Sequence, residues 1–137
     1  PHAITSDGVS NLYFTLDDNV GDNSGVYRLS LGGSTTTRVY SGSGLDFFAT
    51  SLRWDGGGGL ILGLGPNDAL YRLTPTIDPD TWQGVKLAGT GFGSVGGGMR
   101  AKDAPIVSHR GLAIDRSGTL YVSSYGGHQV LKIDLRR

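Results

Sequence analysis

The sequence predicts an all-β chain made of repeated antiparallel units, because two 22-residue segments share one pattern. Residues 52–73 and 112–133 align without a gap at a spacing of 60 residues. Each reads as an apolar strand, an aspartate, a turn, a second apolar strand, a polar loop and a third apolar strand. Residues 4–14 repeat the first half of this pattern 48 residues before the copy that starts at 52, and residues 26–29 supply a third strand. Repeated all-β units of this length are typical of β-propeller blades.

Composition supports the same fold class. The chain has 24 glycines among 137 residues, which suits many tight turns, and its 12 acidic residues are all aspartate. Long helices usually carry glutamate on their exposed faces, so its absence favours strands and turns. Lys and Arg together also number 12, so the net charge is zero. A neutral chain argues against nucleic acid as a partner, and the lack of any run near 18 apolar residues argues against membrane insertion.

We interpret residues 1–137 as a single propeller segment of three blades, each with up to four short strands rich in Val, Ile, Leu, Tyr and Phe. The predicted blades are residues 1–48, 49–108 and 109–137. The strands expected in the first are 3–5, 11–16, 25–31 and 36–40; in the second, 51–54, 60–64, 69–74 and 84–88; in the third, 111–114, 120–123 and 129–134.

The third blade lacks its outer strand in this interpretation. Three blades are also fewer than the four to eight that close a propeller ring, and an open arc would expose apolar faces and strand edges. The sequence therefore predicts a segment of a longer protein, or one part of an assembly. Its expected partners are other propeller blades or copies of itself that complete the ring.

The third repeat resembles the NHL repeat. That family's blade has a Gly-apolar-Ala-apolar-Asp strand, a Gly-Asn-Leu-Tyr-Val strand and an Asn-His-Arg-Val strand, to which residues 111–115, 118–122 and 127–130 are similar. The chain departs from the pattern at Gly127, where Asn is usual, and at residues 67–68, where His would be expected. The resemblance implies a propeller, often six-bladed. It does not imply one function, because NHL-like propellers include protein-binding, RNA-binding and lyase modules.

Two histidines are candidate metal ligands. His2 and His109 lie in loops where the inner strand of a blade is predicted to begin. Some NHL-like lyases hold a catalytic zinc in loops at this position, beside the central channel of the propeller. Neutral imidazole suits zinc. The two residues are out of register, however, since His109 aligns with Pro1 and Arg110 with His2, so exposed loop residues are the simpler interpretation. No cofactor is predicted, and zinc stays an alternative.

Calcium is the other metal alternative. The most polar run, residues 17–25, contains Asp17, Asp18 and Asp22, whose clustered oxygens could bind calcium. Its spacing does not match an EF-hand, because Gly21 and Arg28 stand where ligands are required. Asp, Asn and Gly also favour ordinary turns, so a solvated loop is the competing prediction.

Three aspartates occupy the same place in each repeat. Asp7, Asp55 and Asp115 each follow the first strand, and a repeated position favours a repeated structural cause. We expect their carboxylates to accept hydrogen bonds from backbone amides of the following turn. His128, within the repeat pattern, is expected to pack or hydrogen-bond inside its own blade.

Exposed aromatic and cationic side chains are the remaining binding candidates. Trp82 and Phe92 flank the outer strand and the long connection of the second blade, where they are expected to be partly exposed, and Arg110 lies at the rim. Such residues suit a neighbouring module or a glycan. Packing between blades is the alternative explanation for both aromatics.

The function hypothesis that best fits these patterns is a noncatalytic structural or protein-interaction module of a larger protein or assembly, with a preference for an extracellular or surface location. The alternative is a metal-dependent NHL-like lyase or lactonase-like enzyme whose site is completed by blades not present here. An RNA-binding NHL module is a third hypothesis, which the charge balance disfavours.

Overall fold

The computed structural model describes residues 1–17, 23–42, 47–65, 69–89 and 97–135. In these ranges the backbone forms short strands and one turn of 3-10 helix, Ala101–Asp103. The described part of the chain has no helix long and apolar enough to cross a membrane. The strands are β1 (Ile4–Ser6), β2 (Asn11–Leu16), β3 (Gly25–Ser30), β4 (Thr36–Ser41), β5 (Ala49–Trp54), β6 (Leu60–Leu64), β7 (Ala69–Pro75), β8 (Trp82–Ala88), β9 (His109–Ile114), β10 (Thr119–Ser124) and β11 (Gln129–Asp134).

The strands form three antiparallel sheets in which each strand pairs with its neighbour along the chain. Sheet 1 contains β1 to β4 and sheet 2 contains β5 to β8, whereas sheet 3 has the three strands β9 to β11. The all-β prediction is therefore confirmed, as is the number of strands expected in each unit.

The predicted strand ends differ from the observed ends by two residues at three first or last strands, and by at most one residue elsewhere. β5, β8 and β9 each begin two residues earlier than expected, at Ala49, Trp82 and His109. In β5 and β9 the pairing continues beyond an irregular step, because Ala49 still lies opposite Leu64 and His109 opposite Ser124. Such irregularities interrupt the alternation of polar and apolar residues from which strand ends are read.

The middle sheet is buried on both faces. β6 has the sequence Leu60-Ile61-Leu62, and none of these three side chains is exposed. Leu60 and Leu62 belong to the core between sheets 1 and 2, while Ile61 belongs to the core between sheets 2 and 3. Successive side chains of a strand point to opposite faces, so one apolar run serves two cores.

Aromatic stacking dominates the first of these cores. The Tyr13 ring lies 5.7 Å from that of Trp54 and 5.5 Å from that of Trp82, measured between ring centroids. At the solvent edge of the same contact, the Arg28 guanidinium pairs with the Asp80 carboxylate. Aromatic side chains bury a large area each, so sheets 1 and 2 are held by few but extensive contacts.

The first strands of successive sheets lie beside one another. β1 contacts β5, and β5 contacts β9. Between β1 and β5, the Trp54 amide donates a hydrogen bond to the Thr5 hydroxyl oxygen at 3.2 Å. The outer strands β4 and β8 also meet, where the Tyr40 side chain lies against Gly84. The three sheets therefore stack face to face in sequence order, with first strand next to first strand and fourth next to fourth.

The repeated aspartates perform the turn role predicted for them. The Asp7 carboxylate accepts hydrogen bonds from the amides of Val9, Ser10 and Asn11 at 2.9 to 3.0 Å. The equivalent carboxylates accept from the amides of residues 57 and 59 in sheet 2 and of residues 117 and 119 in sheet 3. In sheet 2 the Asp55 side chain is only 2% exposed and also pairs with Arg72, at 2.7 Å.

These hydrogen bonds favour the ionised carboxylates. Burial would raise the pKa of Asp7, but hydrogen bonds from Asn11 and the turn amides outweigh it and lower the pKa to about 2. Burial would raise the pKa of Asp55 as well, but hydrogen bonds from the Gly59 and Gly57 amides and from Arg72 outweigh that effect and lower the pKa. The pKa of Asp115 is lowered to about 2, chiefly by the hydrogen bond from the Ser117 hydroxyl and then by hydrogen bonds from the turn amides.

A core truncation tests the two-sided burial of sheet 2. We expect Ile61→Ala to lower the free energy of unfolding by about 2–5 kcal/mol, because it leaves a cavity in the second core. Urea denaturation followed by tryptophan fluorescence measures this. Ile77→Ala is the matched control, since Ile77 is fully exposed and its truncation should change the value by less than about 0.5 kcal/mol. Equal effects of the two substitutions would contradict the burial of Ile61.

Acid should destabilise the fold through the turn aspartates. Their pKa values are lower in the folded chain than the ordinary value of about 3.9. Their contribution to the free energy of unfolding is therefore complete above about pH 3.9 and is lost as the pH falls toward 2. We expect the urea midpoint to fall between pH 5 and pH 2 (roughly the span of the two pKa values). In Asp7→Asn, which keeps an acceptor oxygen but cannot titrate, this fall should be smaller. An unchanged pH dependence would count against the turn role.

Candidate functional site

Side chains at the beginnings of the three first strands, together with Asp17 directly after β2, form a row of contacts, which we call the rim. It contains His2, Asp17, Phe48, Thr50 and His109. The His2 ring lies 5.5 Å from the Phe48 ring. Phe48 and Thr50 both approach Gly65, and Thr50 contacts His109 directly. The rim therefore joins segments of all three sheets, because their first strands start at the same end of the stack.

At one end of the rim, His2 meets Asp17. The His2 Nε2 atom lies 3.3 Å from the Asp17 Oδ2 atom, and the Asp17 side chain is 7% exposed. The amide of Ala49, at the start of β5, approaches the other carboxylate oxygen at 3.5 Å. Two candidate metal ligands from separate parts of the sequence, His2 and Asp17, are thus brought together. Asp18 and Asp22, the other residues of the calcium hypothesis, lie outside the described residues.

His109 is buried at the other end of the rim, with 1% exposure. Its Nε2 atom lies 3.1 Å from the Leu64 carbonyl oxygen, and its Nδ1 atom lies 2.7 Å from the Thr50 hydroxyl. Because a carbonyl only accepts, Nε2 must carry a proton. In the neutral ring, Nδ1 then accepts from Thr50. The expectation that His109 is an exposed loop residue is therefore wrong: it lies in β9 and links sheet 3 to sheet 2.

This geometry limits what the histidines can do chemically. Both ring nitrogens of His109 are within hydrogen-bond distance of sheet 2, so a metal would have to displace one of these contacts. His2 retains a half-exposed ring beside one buried carboxylate. Within the described ranges, no group of three or more His, Cys, Asp or Glu side chains is arranged to bind a metal ion. The zinc and calcium alternatives stay predictions.

The remaining candidates have separate locations. Arg110 is exposed in β9, with its guanidinium carbon 6.0 Å from the centre of the Tyr125 ring. That ring lies 6.3 Å from the His128 ring, and both residues are exposed in the turn between β10 and β11, so His128 is not packed inside its sheet as expected. Trp82 is not partly exposed as expected. It is buried against Tyr13, and its indole N–H donates to the Pro79 carbonyl at 3.0 Å.

Trp82 therefore packs in the core between sheets 1 and 2. It is buried rather than partly exposed because β8 begins two residues earlier than expected, which places Trp82 within the strand. Phe92, the other aromatic binding candidate, lies outside the described residues.

Sequence reasoning missed two residues that shape the rim. At the repeat spacing of 60 residues Thr50 is the counterpart of Arg110, which gives no sign that its hydroxyl is the partner of His109. Gly63 faces the same imidazole, and a Cβ atom there would lie 2.7 Å from the His109 Cε1 atom. Gly63 was the available sequence signal, because a glycine in an otherwise apolar strand often marks the close approach of another group.

The sequence matches no protein-family model and shows no significant similarity to any curated protein.

Removing the Thr50 hydroxyl tests the buried link between sheets 2 and 3. We expect Thr50→Val to lower the free energy of unfolding by about 1–3 kcal/mol, because the buried His109 ring would lose the Thr50 hydroxyl as the hydrogen-bond partner of its Nδ1 atom. Thr36→Val, on the exposed side of β4, is the control and should be nearly neutral. Nitrogen NMR of the His109 ring gives a direct readout. An unchanged Nδ1 signal in Thr50→Val would rule out the hydrogen bond.

Proposed function

We propose that this chain forms three consecutive blades of an NHL-like β-propeller and acts as a noncatalytic structural or protein-interaction module of a larger assembly. Its binding surfaces are the two outer faces of the sheet stack, through which further blades or another copy of the chain complete the ring. The observation that carries this proposal is an apolar face of sheet 1 whose counterparts in sheets 2 and 3 are packed against a neighbouring sheet.

We call the face that each sheet turns toward the preceding sheet its leading face. In sheet 2 it includes Leu52 and Leu62, which are 6% and 0% exposed because sheet 1 covers them. The repeat alignment makes Ile4 the counterpart of Leu52, and Phe14 the counterpart of Leu62. Ile4 is 65% exposed. The same kind of residue therefore occupies the same place in both sheets, but in sheet 1 its covering layer is not among the described residues.

The leading face of sheet 1 is continuous. Ile4 lies opposite Phe14 across β1 and β2, and Phe14 lies opposite Tyr27 across β2 and β3. The rings of Phe14 and Tyr27 stack with their centroids 5.6 Å apart. Leu12 and Leu29 are paired on the same face one step further. Contiguous apolar patches of this kind mark interaction surfaces.

We call the opposite face of each sheet its trailing face, and sheet 3 presents one to solvent. Its residues include Tyr121 and Val130, the counterparts of Ile61 and Leu70 in the second core. Val130 is 70% exposed. Trailing faces pack onto leading faces within the stack, so the trailing face of one copy has the residue types that fit the leading face of another. That contact is head-to-tail, and it gives a closed ring or a filament.

Sedimentation velocity across a range of protein concentrations tests the proposal. We expect the 14.4-kDa chain to self-associate as its concentration rises. Ile4→Asp on the leading face and Val130→Asp on the trailing face should each weaken association at least about tenfold, since burying an unpaired carboxylate costs more than 1.4 kcal/mol. Ile77→Asp is the control, because Ile77 is exposed in the turn between β7 and β8 and lies on neither face.

Mixing the two variants gives a sharper outcome. An equimolar mixture of Ile4→Asp and Val130→Asp retains one unmodified leading face and one unmodified trailing face. Such a mixture should form heterodimers although neither variant associates alone, which is the signature of a head-to-tail contact. A wild-type chain that stays monomeric at several hundred micromolar, or a mixture that does not associate, would overturn the proposed pairing of faces.

A further inference from the structure

Two positions of the repeat lie side by side at the same end of each sheet. One is at the start of the first strand, and the other directly follows the second strand. We call the residues at these two positions the linking pair of a sheet. At the repeat spacings of 48 and 60 residues, the linking pairs are His2 and Asp17 in sheet 1, Thr50 and Gly65 in sheet 2, and Arg110 and Tyr125 in sheet 3.

The two members of each linking pair are neighbours in space. In sheet 1 the two side chains approach to 3.3 Å. In sheet 2 a Cβ atom at Gly65 would lie 3.2 Å from the Thr50 Cγ2 atom. In sheet 3 the Arg110 guanidinium carbon lies 6.0 Å from the centre of the Tyr125 ring. The same two positions therefore meet in all three sheets.

The backbone around these positions also repeats between sheets 2 and 3. The Gly65 amide donates a hydrogen bond to the Phe48 carbonyl at 2.7 Å, and the Tyr125 amide donates to the Ser108 carbonyl at 3.1 Å. Both β5 and β9 contain an irregular pairing step near this point. The linking pair of sheet 3 therefore occupies the place that the linking pair of sheet 2 occupies.

In sheets 1 and 2 the linking pair contacts the first strand of the following sheet. The Ala49 amide approaches the Asp17 carboxylate at 3.5 Å, and the Thr50 hydroxyl lies 2.7 Å from the His109 Nδ1 atom. Ala49 and His109 are the first residues of β5 and β9 and are counterparts in the repeat. Each linking pair thus offers a polar group that suits the residue at which the following sheet begins.

The linking pair of sheet 3 has a different chemistry from the other two. Arg110 and Tyr125 are both exposed. A guanidinium group only donates hydrogen bonds, and its planar fork matches the two oxygens of a carboxylate. Among the described residues, no carboxylate forms an ion pair with Arg110. The group that suits this pair is therefore an acceptor with negative charge.

Ser123 limits the size of the group that fits beside this pair. It is the counterpart of Gly63, where a Cβ atom would lie 2.7 Å from the His109 Cε1 atom. A serine at that place leaves no room for an imidazole in the pose of His109. The Ser123 hydroxyl oxygen accepts from the Gly111 amide at 2.8 Å, so its own proton can be donated to a further acceptor. A short acidic side chain fits both features.

We propose that Arg110 and Tyr125 bind an acidic side chain at the first residue of a β-sheet that packs on the trailing face of sheet 3. The guanidinium pairs with the carboxylate, the Tyr125 ring holds the guanidinium in place by a cation–π contact, and the Ser123 hydroxyl donates to the same carboxylate. This inference rests on the proposed function, because it requires a sheet on that face. It also specifies the partner: a second copy presents Pro1, which has no acceptor side chain, so a sheet of different sequence fits better.

The mixture of Ile4→Asp and Val130→Asp chains provides the assay. The Val130→Asp copy supplies the leading face, so its Pro1 stands opposite Arg110 of the Ile4→Asp copy. Adding Pro1→Asp to the Val130→Asp copy should tighten the heterodimer about threefold to tenfold at low salt, and the gain should fall as salt is added. Pro1→Asn is the matched uncharged control and should tighten it less than about twofold.

Removing the guanidinium completes the cycle. Arg110→Gln in the Ile4→Asp copy should abolish the gain from Pro1→Asp. Arg116→Gln, which is exposed in the turn between β9 and β10, should leave that gain unchanged. Equal gains from Pro1→Asp and Pro1→Asn, or a gain that survives Arg110→Gln, would overturn the inference and leave the proposed function standing.

A titration with acetate tests the carboxylate site without any association of copies. In NMR spectra of the isotope-labelled chain, acetate should shift the Arg110 Nε–Hε signal and the Tyr125 ring signals more than the Arg116 signals, and acetamide should not. Selective shifts support the inference even where the copies stay monomeric, an outcome that counts against the proposed pairing of faces alone. Absence of a selective shift up to about 100 mM acetate would overturn the inference.

Discussion

The burial of β6 on both of its faces is the constraint on which the rest of the structure depends. Leu60 and Leu62 face one core while Ile61 faces the other, so sheet 2 requires a sheet on each side. A strand that alternates polar and apolar residues would be satisfied by one neighbour. Because every side chain in this run is apolar, the stacking of three sheets follows from a single strand, and the remaining contacts determine only their register and spacing.

Polar groups determine how closely the sheets and strands approach. The turn after each first strand is closed by one aspartate, whose carboxylate satisfies amides that would otherwise lack a partner. Between sheets 2 and 3, His109 spans the gap by donating from Nε2 to the Leu64 carbonyl and by pairing through Nδ1 with the Thr50 hydroxyl. A buried imidazole with both nitrogens engaged is specific about distance and orientation, whereas apolar contacts are not. The same pairing makes His109 a structural link at the rim.

Stacking of repeats also leaves an apolar face at each end of the stack. Ile4 and Val130 lie on faces whose counterparts are buried in the middle of the stack. We propose that further sheets pack on these two faces, since contiguous apolar faces mark interaction surfaces.

The sequence by itself determined the number of strands, their order and the three aspartate turns. These features are local, because alternation and turn chemistry depend on residues a few positions apart. Tertiary structure alone decided the burial of Trp82 and His109 and the contact between His2 and Asp17. Each of these joins residues far apart in the chain, and their spacing follows from how the sheets stack, which no local pattern records.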